Sequence, residues 1–309
     1  MVHKVTRRRF LKLMLGGTVT AGLSTIGGAG YARLVEPHWL EVERVEVPIP
    51  DLPAKLDGFT IVQLSDLHRG PKVTPEQITQ AVGLALRQEA DLTVLTGDYV
   101  SASAGYALSC AELLSPMVNA GRGAPLLVGK AGRGNVLACL GNHDHWTEAN
   151  TVARALADAG ITVLRNAAQE VADGLWVAAV DDVREGYADL EKALDKVPAG
   201  VTVVLLAHEP DYADEVAADG RVSLQLSGHS HGGQVRLPLA GPLILPYLGR
   251  KYPAGLYRVG AMWLYVNRGV GLIGPTVRFN CRPEVTVLRL RRPALLSQWR
   301  TPRPTPWPL

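Results

Sequence analysis

Five short apolar runs in this chain each stop on side chains that bind cations or carry protons. "IVQLSDLH" ends with Asp66 and His68, and "LTVLTGDY" carries Asp98 behind Gly97. "VLACLGNHD" ends with Asn142, His143 and Asp144. "VVLLAHEP" supplies His208, and "LQLSGHSH" supplies His229 and His231. A short apolar run bounded by glycine and polar residues reads as a buried strand. Segments with helical spacing lie between the runs. "TPEQITQAVGLALRQEA" opens with Thr74 as N-cap, Pro75 at the first helical position and Gln77 closing a capping box. "ALSCAELLSPMV" is a second helix, and "EANTVARALADAG" is a third, ended by Gly160. Further strands are expected at 161–164, 175–180, 201–207, 222–226, 262–266 and 285–290. Both halves of the chain carry this alternation, which predicts one α/β domain with two packed sheets.

In an α/β sheet the carboxyl ends of the strands share one edge, and ligands bind there. Five strand ends spread over residues 66–231 can therefore converge. Gly97, Gly141 and Gly228 would let the backbone turn sharply and come close to the site. The donor set mixes oxygen and nitrogen without thiolate. It suits Zn, Mn or Fe better than a structural cysteine-type zinc. Asp66, His68, Asp98, Asn142, His208, His229 and His231 exceed what one ion needs, so two ions are expected. Two cations ~3.5–4 Å apart clamp a phosphoryl group and generate hydroxide near neutral pH, which is phosphoester-hydrolysis chemistry.

The ordered set Asp66-x-His68, Gly97-Asp98, Gly141-Asn142-His143-Asp144, a lone His208 and Gly228-His229-Ser230-His231 resembles the calcineurin-like metallophosphoesterase family. The resemblance covers about residues 57–290. The strings "GGQVRLP", "AGLY", "YVNRGVG" and "RFNCRPEVTVLRL" resemble its branch of exported or membrane-associated phosphodiesterases. The resemblance implies a four-layer α/β/β/α sandwich with a dimetal centre between the sheet edges. It implies that Asp66, His68 and His231 hold one metal and that Asn142, His208 and His229 hold the other, with Asp98 bridging. His143 would be the general acid that protonates the leaving oxygen, while a hydroxide held between the metals attacks phosphorus in line. Asp144 would orient His143 or shape the pocket. After Asp98 the chain reads "YVSAS", without the Asp-Arg-Gly of protein Ser/Thr phosphatases, so a protein substrate is not expected. Related proteins include hydrolases of the pyrophosphate bond of UDP-diacylglucosamine, the leading specific substrate, although that chemistry belongs on the cytoplasmic face.

"TRRRFLK", Thr6 to Lys12, precedes an uncharged stretch from Leu13 to Tyr31 and fits a twin-arginine signal at every position. The translocase of that route becomes an expected partner, with cleavage after Ala32 or retention as an anchor. Residues 1–32 hold Lys4, Arg7, Arg8, Arg9 and Lys12 and no acid, and in the remainder acids outnumber bases. The body is no polybasic surface for a nucleic-acid polymer. Residues 33–56 form a lead-in with "VERVEVPIP" as an edge strand, 57–292 the phosphoesterase domain, and 293–309 a Pro-rich tail expected to be disordered. A monomer is expected. Cys110, Cys139 and Cys281 form no metal or disulfide framework. Arg268, Arg278 and Arg282 could bind a second phosphate through their planar forks, or merely be solvated. Residues 236–252, "RLPLAGPLILPYLGRKY", form either a greasy lip for an acyl chain or membrane, or a loop packed on the core. The competing functional reading is a cell-envelope binding protein with a structural or vestigial metal site.

Overall fold

The computed structural model describes residues 27–120 and 136–293. In chain order its strands are β1 (Glu41–Pro48), β2 (Thr60–Leu64), β3 (Leu92–Thr96), β4 (Val136–Cys139), β5 (Thr162–Val163), β6 (Ala167–Ala172), β7 (Leu175–Ala179), β8 (Thr202–Leu206), β9 (Leu224–Ser227), β10 (Arg236–Leu237), β11 (Gly241–Pro242), β12 (Gly255–Val259), β13 (Met262–Val266) and β14 (Glu284–Arg291). The helices are α1 (Pro75–Leu86), α2 (Ala107–Ala120), α3 (Asn142–Thr147), α4 (Ala149–Asp158), α5 (Leu190–Leu194) and α6 (Ala213–Asp219).

One six-stranded sheet runs β1-β14-β2-β3-β4-β5, and the other runs β12-β13-β9-β8-β7-β6. Within the first, β2 to β5 are mutually parallel. Within the second, β7, β8, β9 and β13 are parallel. Each core strand is apolar on consecutive residues because both of its faces are covered. Val62, Leu95 and Ala138 face Ile78, Leu114 and Leu156 of the flanking helices. Their neighbours Ile61, Val94 and Leu137 pack across the sandwich against Val177, Val204 and Leu224. On the far side, Ala178, Val203 and Leu264 meet Leu194 and Val216 of α5 and α6. Three apolar seams separate four layers, so the fold is the α/β/β/α sandwich.

The capping box forms: Gln77 Oε1 accepts from Thr74 N at 3.1 Å. Gly160, at φ +89°, follows α4 as its sequence predicts. The lead-in is more closely tied to the fold than a separate segment would be. Strand β1 pairs in parallel with β14 along its full eight residues and forms the edge of the first sheet. The layered unit thus begins before residue 57. Residues 27–34 are helical, and the Ala32 carbonyl accepts from Arg278 N at 2.9 Å. The expected cleavage point therefore falls inside a segment packed on the domain. The Thr6–Lys12 motif and tail residues 294–309 lie outside the described residues. Among the described residues no helix is long and apolar enough to cross a membrane. All three cysteines are buried and free.

Candidate metal centre

All five strand ends meet. Asp66 and His68 follow β2, Asp98 follows β3, and Asn142 opens α3 two residues after the end of β4's apolar run at Leu140. From the second sheet, His208 follows β8, while His229 and His231 follow β9. Asp66, His68 and His231 bring ligand atoms within 4.8 Å of one another, and so do Asp98, His208 and His229. A third such group joins the two through His68, Asp98 and His143. The loops interlock through their own ligands. His229 N donates to Asp66 Oδ1 at 3.1 Å, His143 N donates to Asp98 Oδ1 at 2.8 Å, and Gly228 N donates to His208 O at 3.0 Å. Two glycines are required by space. A Cβ on Gly141 would collide with Asp98 Oδ1, and one on Gly228 with Asp66 Oδ2.

Hydrogen bonds on the far side of two of the rings, His208 and His229, fix their tautomers. His208 Nδ1 donates to the Thr96 carbonyl at 2.7 Å, and His229 Nε2 donates to the Tyr247 carbonyl at 2.8 Å. A carbonyl only accepts, so the neutral rings turn a bare nitrogen inward. His208 Nε2 faces Asp98 Oδ2 at 3.2 Å, close enough for the two to share a proton. His68 Nε2 faces His231 Nε2 at 2.9 Å, and His231 Nε2 lies 3.2 Å from Asp66 Oδ1. Asn142 Oδ1 is buried without a hydrogen-bond partner. Such crowding of acceptors in a buried space is stable only around cations or shared protons. The residues therefore fit metal binding. Burial lowers His68 to about 3 and His229 to about 4, which keeps both rings neutral ligands at pH 7. His208 behaves otherwise: burial disfavours its charge, but Asp98 raises its proton affinity well above the ordinary value.

Backbone strain is concentrated here. Asp66, His68, Asp98, His229 and His231 all have positive φ, between 49° and 67°. Left-handed backbone in a non-glycine residue costs about 1–2 kcal/mol. It persists where the surroundings over-determine it, as at ligand clamps.

The sequence profile of the calcineurin-like phosphoesterases matches residues 59–233. The chain belongs to this family. The phosphoesterase is 38% identical over 295 residues to the uncharacterised metallophosphoesterase YkuE of Bacillus subtilis, covering 94% of this chain and 99% of that one. It is 36% identical over 291 residues to the phosphodiesterase YaeI of Escherichia coli, covering 93% and 99%. It is 31% identical to a zebrafish transmembrane protein with a metallophosphoesterase domain, covering 92% of this chain and 63% of that one. The expected hydrolase class holds, and the expected ligands form candidate metal-binding clusters.

The phosphoesterase's other candidate residues make contacts of their own. Asp144 does not reach the His143 ring. Its carboxylate accepts from Asp98 N, Tyr99 N and Gly141 N at 2.9 to 3.0 Å, so it clamps two strand-end loops together. The forks of Arg268 and Arg278 are buried and engaged by groups of the protein itself. Arg278 is wholly buried and donates to the carbonyls of Cys281, Arg268, Gly269 and Gly271. Arg268, also buried, pairs with Glu284 and Glu43. Arg282 stacks on Trp39, 3.6 Å from the ring centroid. His145 donates to Asp181 at 2.8 Å and packs on Tyr187.

One contact was missed, that of Ser101, and a further one lies at Trp146. Ser101 Oγ lies 2.7 Å from His68 Nδ1 and orients that ring. Trp146 stands 4.6 Å from the His143 ring and carries the Arg184 guanidinium at 4.8 Å. Ser101 sits in the "YVSAS" string, where only its place three residues after Asp98 hinted at a role.

Proposed function

We propose that this phosphoesterase is an envelope phosphodiesterase that binds two cations and hydrolyses a lipid-linked phosphoester. One cation would be held by Asp66, His68 and His231 and the other by Asn142, His208 and His229, with Asp98 between them. The observation that carries this is the pair of buried ligand clusters, Asp66/His68/His231 and Asp98/His208/His229, joined by the group of His68, Asp98 and His143. Bound cations would polarise the phosphoryl group and offset the charge that develops on its oxygens. Asp66 and Asp98 keep their carboxylates ionised despite burial, because His231 and His208 respectively favour the charged form. His143 carries the proton for the leaving oxygen. Burial lowers its proton affinity, which makes the protonated ring a stronger acid. Its backbone bond to Asp98 and its contacts with His68 at 4.8 Å and Trp146 hold the ring beside the clusters.

The twin-arginine motif supports export, and the phosphodiesterase and transmembrane relatives support a diester at a membrane. The test is hydrolysis of bis-p-nitrophenyl phosphate by protein reconstituted with Mn or Zn. Sugar-nucleotide diesters, UDP-diacylglucosamine among them, and phospholipid esters are compared in parallel. His143→Ala should lower kcat by about 10²–10⁴-fold with metal content unchanged. Equal metal in wild type and variant with no activity in either would favour the binding-protein alternative.

A further inference from the structure

We propose that the arm 237–247 and residues 34–39 form one bilayer-docking face, which sets the mouth of the metal centre against the lipid headgroups. This deepens the membrane part of the reading above and rests on it for the orientation of substrate. Leu237, Leu239, Leu243, Ile244 and Tyr247 are 42%, 87%, 56%, 80% and 60% exposed. Apolar side chains this concentrated on a surface mark an interaction site. The arm is not loose chain. Strands β10 and β11 pair Arg236 with Pro242 and Leu237 with Gly241, and prolines at 238, 242 and 246 stiffen it. Leu239 is at φ +67° in the tip of this hairpin, so the most exposed leucine is held outward by a fixed turn.

A second apolar set, Leu34, Val35 and Trp39, is exposed on the other flank of the loop 278–282. That loop joins the two sets. Arg236 N donates to Phe279 O, and Arg278 N donates to Ala32 O, both at 2.9 Å. The Arg282 guanidinium covers Trp39. A bilayer fits this face better than another protein for two reasons. The sequence leading into residue 27 carries the uncharged stretch that begins at Leu13, preceded by Arg7, Arg8, Arg9 and Lys12, so an uncharged segment with a basic end runs directly into this second apolar set. Exposed Arg33 and Arg250 flank the two apolar sets in sequence, as suits anionic headgroups. Tyr247 and Trp39 supply the amphipathic rings that favour the interface. The link to the chemistry is direct. The Tyr247 carbonyl at the base of the arm accepts from His229 Nε2, and Gly249 lies so close that a Cβ there would meet the His229 ring at 3.3 Å.

The experiment uses the full chain carrying Ile244→Cys, labelled with an environment-sensitive fluorophore. All three native cysteines are buried, so the label goes to position 244. Asp158→Cys, on the exposed side of α4, is the control. The probe is a phosphatidylglycerol–phosphatidylethanolamine vesicle with a quencher in its acyl chains. The label at 244 should shift to the blue and be quenched several-fold more than the label at 158. Equal quenching at both positions while the protein sediments with vesicles would overturn the proposal, since residues 1–26 alone would then hold it. A blue shift without lipid, accompanied by a doubled solution mass, would also overturn it and assign the face to a second copy. The double variant Leu239→Asp/Ile244→Asp should keep its kcat/KM on soluble bis-p-nitrophenyl phosphate and lose about tenfold on a vesicle-embedded diester. Loss of soluble hydrolysis in the wild type would instead defeat the phosphoesterase mechanism and leave the insertion measurement standing.

Discussion

His68 has φ +49° and Asp98 φ +57°, conformations that a side chain normally avoids. Glycine in ordinary structure is about 0.5–1 kcal/mol worse than alanine. At His68 the order should invert. Metal-free His68→Gly should be about 1 kcal/mol more stable than His68→Ala in denaturant titrations, because glycine removes the left-handed penalty. Equal stabilities would mean the backbone relaxes. The same ring predicts acid sensitivity. Burial lowers His68 to about 3 and His229 to about 4, below the ordinary histidine value in the unfolded chain. Between those values the unfolded chain binds protons that the folded one refuses, so stability falls as pH drops from 7 to 5. Each ring contributes about 2 kcal/mol of that loss. Asp144, raised to about 7 by burial and by Asp98, works in the opposite direction, gaining stability as pH falls. Comparing metal-free wild type with His68→Asn cancels the Asp144 effect. The variant should lose about 2 kcal/mol less between pH 7 and 5. Trp146 makes a separate prediction. Trp146→Ala should reduce kcat about tenfold by freeing the His143 ring, and Trp146→Phe should restore most of it.

The turns after β2, β3, β4, β8 and β9 are the elements on which the site depends. Gly141→Ala forces a methyl group into Asp98, so metal uptake measured by elemental analysis should fall at least about tenfold while far-ultraviolet dichroism is kept. The core strands were legible because burial on both faces leaves continuous apolar runs. Strand β13 follows its run residue for residue. Strands β6 and β12 were not anticipated. "AAQEVA" and "GLYRV" are edge strands with polar side chains turned to solvent, and backbone pairing to β7 and β13 creates them. "VERVEV" did announce β1 by alternation, but not that it would join β14 in parallel from the far end of the chain.

For the molecule as a whole, five loops assembled from two sheets share one set of acceptors, so cations bound there would be coupled to folding. Saturating Mn or Zn should raise the melting temperature. At a hundredfold excess over Kd the gain is about 2.7 kcal/mol, and a chelator should remove it. Asp98→Asn should abolish most of this shift, since Asp98 belongs to two of the three ligand groups and faces both His68 and His208. The amino-acid sequence by itself determined the candidate donor set, the strands that present it and the family, because strand-end polar residues and runs buried on both faces are local patterns. Only the tertiary structure decided the supporting contacts. It assigned Asp144 to backbone amides, withdrew Arg268 and Arg278 into the interior, and brought Ser101 and Trp146 to the site. Those outcomes depend on which partner a polar group meets across the packed layers, and no spacing along the chain encodes that.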